Sequence, residues 1–309
     1  VACNIAKNKG GNQSHVHDAV KDAAAGKKRD SQIIALIRHA VEKNRLRLVY
    51  QPVVSLHGES SEIYEVLLRM LGQEGATIMP SQFLPAADEA GLMPTIDRWI
   101  VNSAIKILQE QRQQGNATRF FVKLASATFR DETFLAWLAR RLGEARIKGD
   151  CLIFEITEKD AVSYLKHAKY FCKGAHELHC KIALEHFGTG SDSFSCLKHL
   201  DVDFLKIDGS FIHNLATDKN NQAMVKSINE MAHGLEKLSI AEFVQDASSL
   251  ALLWQFGVNY IQGNYLQKPY ERLAGWGGVA TVFGASSLQF LFDHSYASGQ
   301  YLADNVIGM

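Results

Sequence analysis

Between residues 46 and 266 the chain repeats one pattern: a short apolar or alternating run, then a longer stretch whose apolar positions recur every three or four residues. The short runs are LRLVYQPVVSL, EIYEVLLRM, RFFVKLAS, CLIFEITE, KIALEHF, DFLKID, LSIAEFV and NYIQGNYL. Their alternation and their β-branched and aromatic content predict strands. The longer stretches include Ile96–Gln111, Glu132–Glu144, Asp160–Leu178, Asn220–Leu235 and Ala247–Gln255, and predict amphipathic helices. A further helix is expected to start at a cap on Asp30 or Ser31 and to bury Ile33, Ile34, Leu36, Ile37 and Val41.

Eight strands with helical crossovers predict a parallel α/β architecture, and the count fits a TIM-like (β/α)8 barrel. An open doubly wound sheet is the alternative, weakened by the absence of a GxGxxG turn. A barrel also predicts where chemistry sits, because the C-terminal strand ends form one mouth. Polar residues recur there: Glu65 and Arg69, Lys123, Glu155 and Glu158, Glu185 and His186, Lys206 and Asp208, Glu242 and Gln245, and Gln262. Any one of them would pass as a surface charge. Their recurrence on strand after strand points to a shared site.

Composition sets limits on that site's partners. A hydrophobic fraction of 47% and a charged fraction of 21% fit a soluble globular protein. The formal net charge is zero, which gives no general attraction to DNA or to anionic membranes. No apolar run reaches the roughly 18 residues of a membrane span, and the opening VACNIAKNKGGNQ has no signal-peptide core. Five cysteines, an odd number without CxxC spacing, read as reduced cytoplasmic thiols. His176 and His179 are read as a chance surface pair, since no HExxH accompanies them.

The blocks YQPVVSL, EVLLR, FLPAADEAGLMPTIDRWI, FEITE, LKIDGSFI, AEFVQ and QGNYLQKP, in that order and spacing, resemble an EAL domain. That family forms a TIM-like barrel and binds cyclic di-GMP; its active members hydrolyse it with two divalent cations. The resemblance covers about Gln32 to Pro269. The expected organisation is a 1–30 linker or tail of a GGDEF-like domain, a 31–272 barrel, and a 273–309 segment of open role: a final helix, a docking segment or sequence foreign to the protein.

The resemblance implies roles residue by residue. Glu65 and Glu155 match metal-binding glutamates, Arg69 the arginine that holds a ligand phosphate, Lys206 the lysine that orients water, and Glu242 the first glutamate of AEGVE. Gln51, Leu67, Asp97, Asp208, Gln262 and Pro269 lie in blocks that surround the ligand in the family. Five positions depart from the pattern. Lys123 stands for a metal-binding asparagine, Glu185 and His186 for paired metal-binding aspartates, Gln245 for the second glutamate of AEGVE, and Phe243 for its glycine. Phe243 adds a planar face for a base or fills space left by metals.

These departures bear on metal binding through elementary electrostatics. Magnesium and manganese favour hard oxygen ligands. A protonated Lys123 offers no lone pair, and two unit charges ~4 Å apart repel by about 4 kcal/mol at an effective dielectric of about 20. Its ammonium is expected instead to pair with Glu65 or Glu155. The implied function is a non-catalytic cyclic di-GMP receptor that requires neither metal nor cofactor. Within the family, EVLLR with AEFVQ is similar to the receptor branch that regulates type IV pili and twitching motility. That branch implies a PilZ-domain partner, linked in turn to the pilus assembly ATPase. The alternatives are a slow metal-dependent phosphodiesterase and a docking module that binds no nucleotide.

Overall fold

The structure is a computed structural model in which residues 32–58, 62–72, 75–190 and 193–273 are described. The caps expected at Asp30 or Ser31, the 1–30 linker and residues 274–309 of the C-terminal segment lie outside the described residues. Helix α1 (residues 32–42) precedes β1 (Leu46–Pro52) and β2 (Val54–Ser55). Next come β3 (Ile63–Leu71), β4 (Thr77–Ile78), α2 (Pro80–Glu89) and α3 (Met93–Gln113). Strands and helices then alternate through β5 (Arg119–Lys123), α4 (Ser126–Phe129), α5 (Thr133–Ala145), β6 (Leu152–Thr157), α6 (Glu158–Ser163) and α7 (Leu165–Glu177). The series continues with β7 (Lys181–Phe187), α8 (Ser193–Leu197), β8 (Phe204–Ile207), α9 (Gly209–Ile212) and α10 (Lys219–Gly234). It ends with β9 (Leu238–Ala241), α11 (Ala247–Gln255) and β10 (Tyr260–Ile261).

By its internal contacts the chain divides into two units. The smaller holds the residues up to Arg47 and Arg69–Leu92. There β4 pairs antiparallel with the end of β3, and Ile37, Ala40, Met70, Phe83 and Ala87 are buried. The Gln82 side chain accepts from the Met79 N–H at 2.9 Å, which satisfies a donor that the first turn of α2 leaves open.

The larger unit, Leu48–Leu68 with Met93 onward, carries the barrel. The strand order is β1-β3-β5-β6-β7-β8-β9-β10-β2. Its two ends, β1 and β2, are consecutive in the chain with Val53 between them, so the sheet returns on itself into a nearly closed TIM-like barrel. Every pairing from β3 through β10 along that path is parallel, whereas β2 pairs antiparallel with β10. The first strand therefore opposes the other seven, against the all-parallel expectation. The reason is chain length: Ser55 and Ile63 are too close in sequence for a helical crossover, which needs about 10–12 residues.

A ring of eight buried side chains fills the barrel at one level: Val53, Ile63, Phe121, Ile153, Ala183, Phe204, Ile240 and Tyr260. Seven come one each from β3 and β5 to β10, and the eighth, Val53, from the link between β1 and β2. Outside, Phe129, Phe134, Phe154 and Phe171 meet at centroid distances of 5.9–6.2 Å and join α4, α5 and α7 to β6. The helix expected over Asp160–Leu178 is two helices, α6 and α7, broken at Tyr164, whose φ of −123° and ψ of 41° are not helical. No helix among the described residues is long and apolar enough to cross a membrane. Cys151, Cys172, Cys180 and Cys196 are free and buried.

His176 and His179 do not act as a pair. His176 Nε2 meets Asp203 Oδ2 at 2.9 Å, while His179 lies past the end of α7 with a left-handed φ of 63°. Asp203 also takes Lys181 Nζ at 2.6 Å and the Ile182 N–H at 2.8 Å, tying α7 and β7 to the start of β8. Burial alone would raise its carboxyl, but those hydrogen bonds outweigh burial and hold it at about 2 against an ordinary 3.8. A folded value below the unfolded one gives stability that is full above about pH 4 and fades as pH falls toward 2. Asp203→Asn should thus cost about 2 kcal/mol in urea unfolding at pH 7, narrowing on acidification. A gap that does not change between pH 7 and pH 3 would contradict this assignment.

Candidate functional site

Side chains two residues apart on a strand share a face. Two residues beyond each member of the apolar ring, toward the barrel mouth, stand Gln51, Glu65, Lys123, Glu155, Glu185, Lys206, Glu242 and Gln262. Because β1 runs against the others, Gln51 is two residues before Val53 and not after it. A complete polar ring thus lies on a complete apolar one.

Lys206 holds the polar ring together. It is fully buried, and its Nζ meets Glu155 at 2.5 Å, Glu242 at 2.9 Å and Glu65 at 3.0 Å. The Phe121 ring lies below, its centroid 5.6 Å from Nζ. Burial works to lower the Lys206 ammonium, yet the surrounding glutamates hold it well above its ordinary value. Gln262 donates to Glu65 at 2.5 Å and to Gln51 at 3.1 Å, and Gln51 donates to the Gln267 carbonyl at 3.1 Å.

Lys123 stands at the rim, half-exposed, with Nζ 2.5 Å from Glu185 Oε2. The expected pairing with Glu65 or Glu155 is therefore corrected: Glu185 is its partner, and Lys206 takes the other two acids. Four carboxylates face two ammoniums in the ring. Burial first, then the Glu65 charge, pushes Glu155 well above the ordinary carboxylate range. Burial also raises Glu242. Burial would raise Glu185 too, but Lys206 and Lys123 outweigh it and hold that carboxyl down.

His186 lies at the edge of the ring, with Nε2 4.0 Å from Glu185 Oε2. The register of β7 against β8 shifts between Leu184 and Phe187, and His186 takes a left-handed φ of 57°. A bulge of this kind re-aims a side chain, and histidine is among the residues that tolerate the region. His186 Nδ1 lies 2.9 Å from Asp208 Oδ2, and Asp208 Oδ1 accepts the Ser210 N–H at 2.9 Å. The adjoining glycine turn is fixed by Glu158, to which sequence reasoning gave no role. Its Oε2 accepts the Gly188 N–H at 3.0 Å, and a Cβ on Gly190 would lie 2.4 Å from its Oε1. The signal available was its place three residues past Glu155, at the end of FEITE.

The EAL domain family model matches residues 35–269. This chain belongs to the EAL family. It is similar to the FimX EAL domain of Pseudomonas aeruginosa, whose crystal structure is bound to c-di-GMP: 46% identity and a TM-score of 0.75, covering 79% of this chain and 98% of that one. The Xanthomonas citri FimX EAL domain, in complex with c-diGMP, is 29% identical with a TM-score of 0.77, over 81% and 98% of the two chains. Cyclic di-GMP phosphodiesterase PdeF of Escherichia coli (strain K12) is 34% identical over 233 residues, 75% of this chain and 31% of that protein. The chain spans about a third of the length of the curated relatives it matches.

EAL phosphodiesterase chemistry uses two cations, which allows a test of fit. One oxygen each from Glu65, Glu155 and Glu185 lies within 4.8 Å of the others. Glu155 Oε2 and Glu242 Oε2 are buried without a hydrogen-bond partner. This hard-oxygen set suits one divalent ion. A second ion fits poorly, because the Lys123 ammonium sits on Glu185 and His186 faces Asp208.

The other EAL positions singled out in the sequence are spread more widely. Leu67 shares a face of β3 with Glu65 and is half-buried. Arg69 lies further along β3, in the smaller unit. Pro269 is half-buried beyond β10. Asp97 is buried in α3, where its Oδ2 accepts the Ala125 N–H at 2.9 Å and the Thr128 hydroxyl at 2.5 Å, so it serves the loop after β5. Gln245 is exposed beside Phe243.

Phe243 does not fill space inside the ring: it is 60% exposed and lies against Gly209, where a Cβ would meet it at 2.4 Å. Its φ of 57° is a region that costs a bulky L-residue about 1–2 kcal/mol. Glycine adopts that region without strain. Phe243→Gly should therefore raise unfolding stability by about 1 kcal/mol in a denaturant titration. A loss of stability would show that the exposed ring contributes more through packing than its backbone costs.

Proposed function

We propose that this chain is a cyclic di-GMP receptor that does not hydrolyse its ligand. The observation that carries the reading is the Lys123 ammonium seated on Glu185, with the His186 imidazole between Glu185 and Asp208, where the resemblance calls for metal-binding aspartates. Two-metal hydrolysis needs one ion to activate water and another to steady the leaving oxygen. Lys123 on Glu185 takes up an acid that a second ion would need, so on this reading the ring supplies at most one of the two functions.

Binding makes other demands, and the chain retains candidates for them. Arg69 is the expected phosphate partner, and guanidinium forks pair with phosphate through two hydrogen bonds. The exposed Phe243 ring offers a face for a base, and such stacking contributes roughly 1–3 kcal/mol. The likeness to two FimX EAL domains with the nucleotide bound supports the same ligand here. On the EVLLR and AEFVQ motifs alone, the proposal extends to a FimX-type role in type IV pilus regulation, with a PilZ-domain protein as partner and the pilus assembly ATPase beyond it. Such a receptor signals through coupled affinities: partner and nucleotide must tighten each other's binding by one common factor.

A second reading has its own support. The Glu65, Glu155 and Glu185 trio fits one divalent ion, and PdeF is a phosphodiesterase, so slow metal-dependent hydrolysis is the rival. Incubation with cyclic di-GMP and Mg²⁺ or Mn²⁺, followed by chromatography for the linear dinucleotide, separates the two. The receptor reading expects none at enzymatic rates. Linear product forming at about 1 s⁻¹ or faster would establish the rival.

A further inference from the structure

The polar ring carries two ammoniums at different depths. Lys206 is fully buried among Glu65, Glu155 and Glu242, so it cannot touch a molecule that enters from solvent. The Lys123 side chain is 48% exposed and ends on Glu185, whose own side chain is 6% exposed. The carboxylate thus lies beneath, and the ammonium covers it on the side of the mouth. An ammonium has three donors, and one carboxylate oxygen at 2.5 Å does not use them all. Strands β3 and β5 pair in parallel with Val66 opposite Val122, which sets Leu67 beside Lys123 one step further on. Both side chains lie on the face that carries the ring, so an aliphatic group and a cation form one wall of the mouth.

Charge is the obstacle that such a wall removes. A cyclic dinucleotide carries two phosphodiester anions, and a ring built on Glu65, Glu155, Glu185 and Glu242 opposes their approach. A cation offsets that opposition only where it meets the phosphate, and of the two ring ammoniums only Lys123 reaches the solvent side. We propose that the Lys123 ammonium, anchored on Glu185, binds a phosphate of the cyclic dinucleotide directly and so performs with a side chain the electrostatic work of a bound cation. Glu185 is then a positioning residue, which holds the ammonium at the rim and keeps it from folding inward onto Glu155. The competing role for Lys123 is purely internal, as a counter-ion for Glu185. This inference rests on the cyclic di-GMP reading.

The test compares wild type, Lys123→Arg, Lys123→Met and the double variant Lys123→Met with Glu185→Gln by calorimetric titration in metal-free buffer. Each is titrated with cyclic di-GMP and with its bis-methylphosphonate analogue, in which both phosphate bridges are uncharged. The double variant leaves no carboxylate unpaired at the rim, so it carries the test if Lys123→Met alone does not fold. Both methionine variants should bind cyclic di-GMP about tenfold more weakly or worse, the scale of a lost charge-assisted hydrogen bond. Lys123→Arg, which keeps the cation, should retain most of the affinity. Wild type should bind the uncharged analogue more weakly than cyclic di-GMP, and that penalty should be about tenfold smaller in the methionine variants, because the lost charge no longer has its partner. A lysine that serves only Glu185 would change the affinity for both ligands by one factor. An equal penalty in wild type and methionine variants, or undiminished binding of cyclic di-GMP by them, would overturn the proposal and leave the receptor reading standing. Wild type that fails to bind cyclic di-GMP at all would remove the receptor reading and this inference together.

Discussion

The structure depends on one ammonium, Lys206 Nζ, buried among the carboxylates of Glu65, Glu155 and Glu242. Those acids come from β3, β6 and the end of β9, while the lysine comes from β8, so the contact spans the barrel. Removing one partner from a buried ionic group typically costs about 3–5 kcal/mol, because the remaining charges are left uncompensated. An apolar ring directly beneath keeps water away and sharpens that requirement. The barrel mouth is thus a polar layer that the fold must satisfy from within before it can act on anything outside.

The chain meets that requirement with more positive charge than the family pattern calls for. Lys123 places a second ammonium at the rim, on Glu185, and burial beside Glu65 raises Glu155 toward its protonated form. The two ammoniums, Lys123 and Lys206, offset part of the charge of the four carboxylates. His186 stands between Glu185 and Asp208 and fixes Asp208. Its neighbourhood, with Phe243 and His213, becomes a shaped apolar and polar surface. On the proposed reading, the positions that depart from the family pattern serve to hold a nucleotide and not a pair of metal ions.

Much of this was legible in the sequence, and the reasons are local. The strand pattern put Glu65, Glu155, Lys206, Glu242 and Gln262 at the barrel mouth, but it did not separate the ring from Arg69, Glu158, His186, Asp208 and Gln245, and it left Gln51 out of that group. The helix over Ala247–Gln255 matched because its apolar pattern and capping aspartate are adjacent in sequence. What escaped depends on distance across the barrel or on backbone angles. Lys123 and Glu185 belong to strands separated by β6, and nothing in sequence spacing says that a lysine from one reaches an acid on the other. The break at Tyr164, the bulge at His186 and the left-handed Phe243 are conformations that residue type permits without dictating. The reversed first strand was readable, since the short link after Ser55 forbids a crossover, but strand counting concealed it.

The central claim is that the polar ring is compensated by its own lysines, so nucleotide binding requires no metal ion. Its most direct test is calorimetric titration of the whole chain with cyclic di-GMP, once with excess EDTA and once with saturating Mn²⁺. The account predicts equal affinity, within about twofold, in the two buffers. Binding seen only with Mn²⁺, or tightened by the roughly hundredfold that a cation bridging phosphate to Glu65, Glu155 and Glu185 would add, about 2.7 kcal/mol, would contradict it.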